Sequence, residues 1–225
     1  MPVPRAVRSP IPFLPVLLAL VVGCASYDGA PLAPRSASEF PNREQQKQFF
    51  LAAEIPAEAV DVEHTFGRDL REFGILPILV YVQNRSADDF EVRKFSFRVP
   101  GVGEFVQVTP QQAAEAARFS QWRSAIWYLF AIFPGFVASA QVAGANEDME
   151  ADFRSKQIEP RILESGETKS VPGVLFFAPP AGRSLADIDP KQGLLVVELT
   201  RIPPDTGETR APSEDIEATF VFSRR

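Results

Sequence analysis

The sequence is poor in cysteine and histidine, with one of each in 225 residues. A single cysteine cannot form a disulfide within the chain, and one cysteine with one histidine cannot complete a tetrahedral zinc site. Acidic residues outnumber basic ones by 29 to 23, so the chain lacks the basic surplus that neutralises nucleic-acid phosphates. We therefore expect no internal disulfide, no metal site and no nucleic-acid partner.

Common catalytic motifs are also missing. The sequence has no Gly-x-Ser-x-Gly nucleophile motif, and Gly101-Val-Gly103 lacks the third glycine of a nucleotide-binding loop. Around His64 apolar and acidic residues alternate, which predicts a strand on which Glu63 points to the opposite face and cannot orient the imidazole. We therefore predict a protein that is not an enzyme and has no cofactor.

The single cysteine follows a segment that is typical of exported proteins. Arg5 and Arg8 precede an apolar run over residues 11–22, and Gly23 stands directly before Cys24. A cationic start, a short apolar core and a small residue before the cleavage point are the parts of a secretory signal peptide. The apolar run is shorter than the roughly 20 residues that a membrane-spanning helix needs.

The sequence Leu20-Val-Val-Gly-Cys24 resembles a bacterial lipoprotein signal. The resemblance implies removal of residues 1–23 as a signal peptide and attachment of lipid to Cys24. The next residue, Ala25, resembles the pattern that is sorted to the outer membrane, which implies a body that faces the periplasm. Residues 24–41 are rich in serine, proline, glycine and alanine, so we predict a flexible tether that reaches at most about 60 Å.

The rest of the chain is patterned mainly as β-structure. Period-two or continuous apolar runs predict strands over residues 59–66, 75–84, 90–99, 102–108, 161–163, 173–177, 193–202 and 216–222. A change of phase near Arg93 and Lys94 predicts a bulge. Residues 42–53 predict a short helix with Asn42 as its cap. Short strands separated by turn signals favour an antiparallel sandwich.

Two segments resemble telokin-like immunoglobulin-fold domains of bacterial exported proteins. They are the strand and turn Leu-Val-Tyr-Val-Gln-Asn-Arg-Ser over residues 79–86 and the hairpin over residues 161–177. The resemblance implies a mainly β (α+β) fold over residues 42–225, an antiparallel immunoglobulin-like β-sandwich. A helical insertion at about residues 109–157 interrupts it.

The insertion contains a long stretch without charge. Thr109, Pro110 and Gln112 match a capping box with proline in the first helical position, and residues 124–146 carry no charged side chain. Pro134-Gly135 predicts a break near the middle, so each of two arms is about 15 Å long and too short to span a bilayer. We predict a helical hairpin.

Four aromatic residues of this hairpin form a predicted contact surface: Trp127, Phe130, Phe133 and Phe136. Three arrangements of the hairpin are compatible with this sequence. It packs on the sandwich or self-associates, it touches the membrane with its tip, or it spans the membrane. The main functional hypothesis is a non-catalytic envelope lipoprotein, a scaffold or protein-interaction module. Its partners are the membrane, through Cys24, and an envelope protein or a second copy. The alternative is a carrier or sensor of an apolar ligand between insertion and sheet, suggested by 19 phenylalanines.

Overall fold

Two units make up the chain. The structure, a computed structural model, describes residues 26–40, 43–46, 48–118, 132–167, 169–203 and 213–222. Contacts divide the chain into Met1–Ser26 with Phe119–Asn146, and Tyr27–Arg118 with Glu147–Arg225. Within the first unit, the described residues are Ser26 and part of one α-helix. All the described strands belong to the second unit.

The described residues form nine β-strands and three α-helices. The strands are β1 (Arg43–Gln46), β2 (Phe49–Glu54), β3 (Leu76–Asn84), β4 (Asp89–Val99), β5 (Gly103–Val108), β6 (Arg161–Leu163), β7 (Val171–Ala178), β8 (Leu194–Ile202) and β9 (Glu214–Val221). The helices are α1 (Ala59–Phe66), α2 (Pro110–Ala116) and α3 (Ile132–Lys156). Every pairing between these strands is antiparallel. The fold is therefore mainly β, as the sequence pattern predicts.

The strands form one sheet in the order β1-β2-β3-β7-β5-β4-β8-β9, with β6 paired to β4. Strand β5 joins two parts of this sheet, because residues 106–108 pair with β7 and residues 103–105 pair with β4. We call β1, β2, β3 and β7 the first half-sheet, and β4, β6, β8 and β9 the second half-sheet. Strand β9 also contacts β1 and β2, so the two half-sheets enclose a common interior.

The inner faces of the two half-sheets share the largest hydrophobic core. Aromatic contacts cross between them: the ring centroids of Phe49 and Phe90 are 5.4 Å apart, and those of Phe97 and Phe177 are 5.7 Å apart. Each of these side chains is at most 1% exposed. Burying a side chain of this size contributes about 1.5–3 kcal/mol, so this aromatic core is a main source of stability.

A second core lies on the outer face of the first half-sheet. Phe66 of α1, Phe153 of α3 and Phe176 of β7 meet there, with ring centroids 5.4–5.9 Å apart. All three side chains are at most 1% exposed. Strands β3 and β7 are consequently buried on both faces, which explains their continuous apolar sequences.

Two local predictions are confirmed in detail. The register between β4 and β8 shifts between Val92 and Lys94, which is the predicted bulge. Thr109 caps α2: its Oγ1 accepts the backbone N–H of Gln112 at 3.1 Å, and Gln112 Oε1 accepts the backbone N–H of Thr109 at 2.9 Å. Both features depend on neighbours in sequence, which explains why the sequence alone could indicate them.

The helix predicted over residues 42–53 is wrong. This segment forms the antiparallel strands β1 and β2, and Gln48 has a φ of 67° between them. Five of the six residues of β2 are buried, because Phe49 and Leu51 join the inner core while Phe50 and Ala52 face a second covered surface. A strand covered on both faces shows no alternation, so its pattern resembles that of a buried helix.

The strand predicted over residues 59–66 is also wrong, because these residues form α1. Only Val62 and Phe66, four residues apart, are buried, and Gly67 ends the helix with a φ of 67°. Apolar residues at every second position include a pair four apart, so a short amphipathic helix can imitate a strand. His64 therefore lies on the exposed surface of a helix.

The predicted break at Pro134-Gly135 is absent from the described part of α3. The helix continues through both residues to Lys156. Residues 119–131, which include most of the first predicted arm, lie outside the described residues.

Candidate functional site

The structure describes the side chain of none of the five predicted site residues. Cys24, Trp127 and Phe130 are not among the described residues, and for Phe133 and Phe136 only the backbone in α3 is described. In the part of the chain that the structure describes, no helix meets the length and hydropathy of a membrane span. Within the same ranges, no three potential ligands of the His, Cys, Asp or Glu type cluster for a metal ion. Lipidation and the aromatic contact surface stay predictions.

The segment just after Cys24 docks on the rest of the second unit. We call residues 27–40 the N-terminal strap. Ala37 is fully buried, Phe40 is 7% exposed, and the Phe40 ring lies 4.7 Å from that of Tyr81 on β3. The strap thus covers part of the outer face of the first half-sheet. The structure differs here from the flexible tether that composition predicts. A few apolar side chains among the prolines and serines, Ala37 and Phe40 among them, are buried against the sheet.

Polar contacts attach the strap along its length. The Ala30 N–H donates to the His64 carbonyl of α1 at 2.9 Å. The Arg35 guanidinium donates to the carboxylate of Glu54 on β2 at 3.0 Å, and the Arg35 carbonyl accepts from the Ser170 hydroxyl just before β7. The strap therefore contacts three separate parts of the second unit.

A partly buried cluster of three polar side chains, Tyr27, Asp152 and Lys156, holds the first residue of the strap. The Tyr27 hydroxyl and the Lys156 ammonium both donate to Oδ2 of Asp152. Lys156 also donates to the Thr65 carbonyl of α1 at 2.6 Å, and its side chain is only 4% exposed. Burial and the hydrogen bond to Asp152 raise the pKa of Tyr27, so the phenol stays protonated and remains a donor.

Two glycines make room for the Tyr27 ring. A Cβ added to Gly29 would lie 2.1 Å from the Tyr27 hydroxyl oxygen, and one added to Gly67 would lie 3.0 Å from a ring carbon. The ring packs edge-on against Phe153, with centroids 6.3 Å apart. The pocket is therefore shaped to accept an aromatic side chain at this position.

The sequence gives little indication of this cluster. Asp152 and Lys156 are four residues apart, which places them on one face of a helix, but such pairs are common on exposed helices. Tyr27 is 125 residues away from Asp152 in sequence. No local pattern connects the two positions, so only the fold brings them together.

The cluster joins segments and does not present a reactive group. The Tyr27 hydroxyl, the Asp152 carboxylate and the Lys156 ammonium are all engaged with one another or with the Thr65 carbonyl. A general base or nucleophile needs a free position next to a substrate. The arrangement therefore links the strap to α3, and α3 to α1.

A second buried network joins the two segments that carry the immunoglobulin-like resemblance. The side-chain amide of Asn84 donates to the carbonyls of Asp88 at 2.8 Å and Leu163 at 3.0 Å. The Ser86 hydroxyl donates to Asn84 Oδ1 at 2.6 Å. Asn84 thus connects the turn between β3 and β4 with the end of β6, and its role is structural.

Three grooves lie beside strands in the described part of the second unit. One groove of about 450 Å³ lies beside residues 91–93 of β4 and β6, and one of about 350 Å³ lies beside residues 94–96 of β4 and β5. A third groove, of about 520 Å³, lies where α3 ends, beside β6 and β7. Charged and apolar side chains line them together. These three grooves are open to solvent, and the third lies between the end of α3 and strands β6 and β7.

The chain has no match among the known families. No protein-family model matches the sequence, and no curated protein is similar enough to match. A proposal about function therefore depends on the strap, the Tyr27 cluster and the packing of the two half-sheets.

Proposed function

We propose that the chain is a non-catalytic lipoprotein of the cell envelope that acts as a scaffold or protein-interaction module. Residues 1–23 are removed as a signal peptide, and acyl chains on Cys24 anchor the protein in the outer membrane, facing the periplasm. The second unit is an immunoglobulin-like β-sandwich with a helical insertion. Two antiparallel half-sheets around one core support the sandwich.

One observation favours the scaffold over the carrier: where the structure describes the side chains of the helical layer, buried apolar groups occupy the space next to the first half-sheet. A small-molecule site is a cleft or cavity of about 300–1,000 Å³. Phe66, Phe153 and Phe176 occupy this layer with at most 1% exposure. The many phenylalanines that suggested an apolar ligand here pack against one another instead.

The proposed partner contact remains the aromatic surface of Trp127, Phe130, Phe133 and Phe136. It belongs to the uncharged stretch over residues 124–146. Its partner is an envelope protein or a second copy of the chain, since the acidic protein as a whole gains little from anionic lipids. The membrane is a further partner, through the anchor.

Labelling cells with a fatty-acid analogue tests the anchor. The wild-type chain should carry the label and sediment with outer membranes, whereas Cys24→Ser should lose the label and appear in the soluble periplasmic fraction. Ser26→Ala is the matched control and should behave as wild type. Label retained on Cys24→Ser would contradict the proposal.

An apolar fluorescent probe tests the scaffold against the carrier. Anilinonaphthalene sulfonate added to the Cys24→Ser chain should show no saturable binding at one site. Saturable binding at one probe per chain that Phe176→Trp abolishes would place a ligand between helices and sheet, and would favour the carrier.

A further inference from the structure

We propose that the Tyr27 cluster holds the second unit at the membrane surface in one orientation, with the exposed side of α1 facing the lipid headgroups. This inference rests on the proposed anchor at Cys24. It adds what the anchor alone does not supply, namely a short upper limit on the distance between bilayer and protein.

The first step is the number of residues between the anchor and the strap. Tyr27 is the third residue after Cys24, and three residues span at most about 11 Å. A free tether ending at residue 41 would span up to about 60 Å. Docking at Tyr27 therefore removes most of the reach that composition suggests.

The second step is the strength of the docking. The Tyr27 hydroxyl bonds to Asp152, which also pairs with a buried lysine, and the ring lies against Gly29 and Gly67. The rest of the strap is tied by Ala30, by Arg35 and by the buried Phe40. Releasing the strap would leave the Lys156–Asp152 pair without its tyrosine and would expose the apolar face beneath Phe40.

The third step is the surface next to Tyr27. Asp28 in the strap and Glu63 and His64 on α1 are exposed there, and the His64 carbonyl is the acceptor for Ala30. This surface is polar and carries more acidic than basic groups, so it has no electrostatic attraction to anionic lipid. Such a surface can contact the hydrated headgroups without inserting into the bilayer. The orientation of the second unit therefore comes from the anchor and the strap.

A body held in this way works close to its membrane. A component in or on the same membrane lies within its reach, whereas a partner across the periplasm does not. The proposed partner is therefore a membrane-proximal protein or a neighbouring copy of the chain.

Energy transfer to labelled lipid tests the orientation in the full lipidated protein. Lipidation uses the only cysteine, so Glu63→Cys on α1 or Val221→Cys on β9 gives a single labelling site. Both positions are exposed, and Val221 belongs to the second half-sheet. In vesicles of phosphatidylethanolamine and phosphatidylglycerol with a headgroup acceptor, transfer should be high from position 63 and low from position 221.

A spacer variant provides the matched control. Twenty Gly/Ser residues inserted between Ser26 and Tyr27 leave the strap and its pocket unchanged and add a coil with an end-to-end distance of about 25 Å. The difference between the two label positions should then be lost, while the thermal unfolding midpoint stays that of the parent.

The outcomes separate this inference from the anchor. Equal transfer from the two positions in the parent protein, or a difference that the spacer leaves unchanged, would overturn the orientation. A wild-type chain without fatty-acid label would overturn the anchor instead. Higher transfer from position 221 than from position 63 would also overturn the orientation. A labelled chain with higher transfer from position 63, and a difference that the spacer removes, supports both.

Discussion

The outer faces of the two half-sheets differ in what covers them. Helix α1, the part of α3 around Met149 and Phe153, and the N-terminal strap lie over the first. On the second, Lys94 and Glu198 are more than half exposed. Eight of the nine residues of β3 are buried, while β4 and β9 alternate between buried and exposed positions. Segments outside the strands thus decide whether a strand is buried on one face or on both.

The same kind of ion pair has different surroundings on the two faces. Lys156 and Asp152 form a lysine–carboxylate pair with side chains 4% and 22% exposed, and Lys94 and Glu198 form one at 3.8 Å with side chains 59% and 51% exposed. Water screens the attraction between Lys94 and Glu198. The buried charge of Lys156, in contrast, is stable only while Asp152 neutralises it. We infer that the Lys156–Asp152 pair on the covered face contributes more to stability than the Lys94–Glu198 pair on the exposed face.

The largest expected effect is on the packing of the covered face. Phe176→Ala removes a fully buried ring between α1, α3 and β7, and should lower the free energy of unfolding by about 3–5 kcal/mol. Val221→Ala, at a position 57% exposed, should change it by no more than about 0.5 kcal/mol. Urea unfolding of both variants in the Cys24→Ser chain measures this. Similar costs at the two positions would show that the helical cover is not packed.

A smaller effect is expected at the two ion pairs. Asp152→Ala leaves the buried Lys156 without its counter-charge and should cost about 3 kcal/mol. Glu198→Ala removes the exposed counterpart and should cost about 0.5 kcal/mol or less. Adding Lys156→Met to Asp152→Ala should recover part of the loss, because no unpaired charge is then buried. Equal costs for the two single variants in urea unfolding would argue against a buried pair.

The smallest of the three effects concerns the glycine under Tyr27. Gly29→Ala should displace the ring and cost about 1–3 kcal/mol by overpacking. Gly144→Ala, where an added Cβ meets nothing within 4 Å, should stabilise the helix by up to about 1 kcal/mol. Trypsin should cut after Arg35 faster in Gly29→Ala than in wild type or Gly144→Ala. An unchanged rate would mean that the strap does not depend on Tyr27.

The comparison also explains which strands could be predicted from the sequence. Strands β4, β8 and β9 of the second half-sheet and β3 and β7 of the first follow the predicted ranges closely, because alternating or continuous apolar runs bounded by turn residues both indicate strands. On the covered side, β2 was expected to be a helix, α1 a strand and the strap a tether. Their apolar residues contact partners far away in sequence, so local patterns could not define them.

The polar side-chain contacts also differ in how far the sequence predicts them. The cap of α2 uses Thr109 and Gln112, three residues apart, and was predictable. Asp152 and Lys156 have the spacing of a helical pair, but their contact with Tyr27 depends on the fold of the whole second unit. Lipidation at Cys24 comes from a local sequence pattern and stays a prediction.

Amide hydrogen exchange at Ala30 tests the docking of the strap most directly. Its N–H donates to the His64 carbonyl at 2.9 Å, and a docked strap protects this hydrogen until the strap opens. Exchange in the native protein should therefore be much slower than in an unstructured chain, and Gly29→Ala should accelerate it. Exchange at the unstructured rate in the wild-type chain would mean that residues 27–40 are a free tether, and would contradict a strap that holds the protein at its anchor.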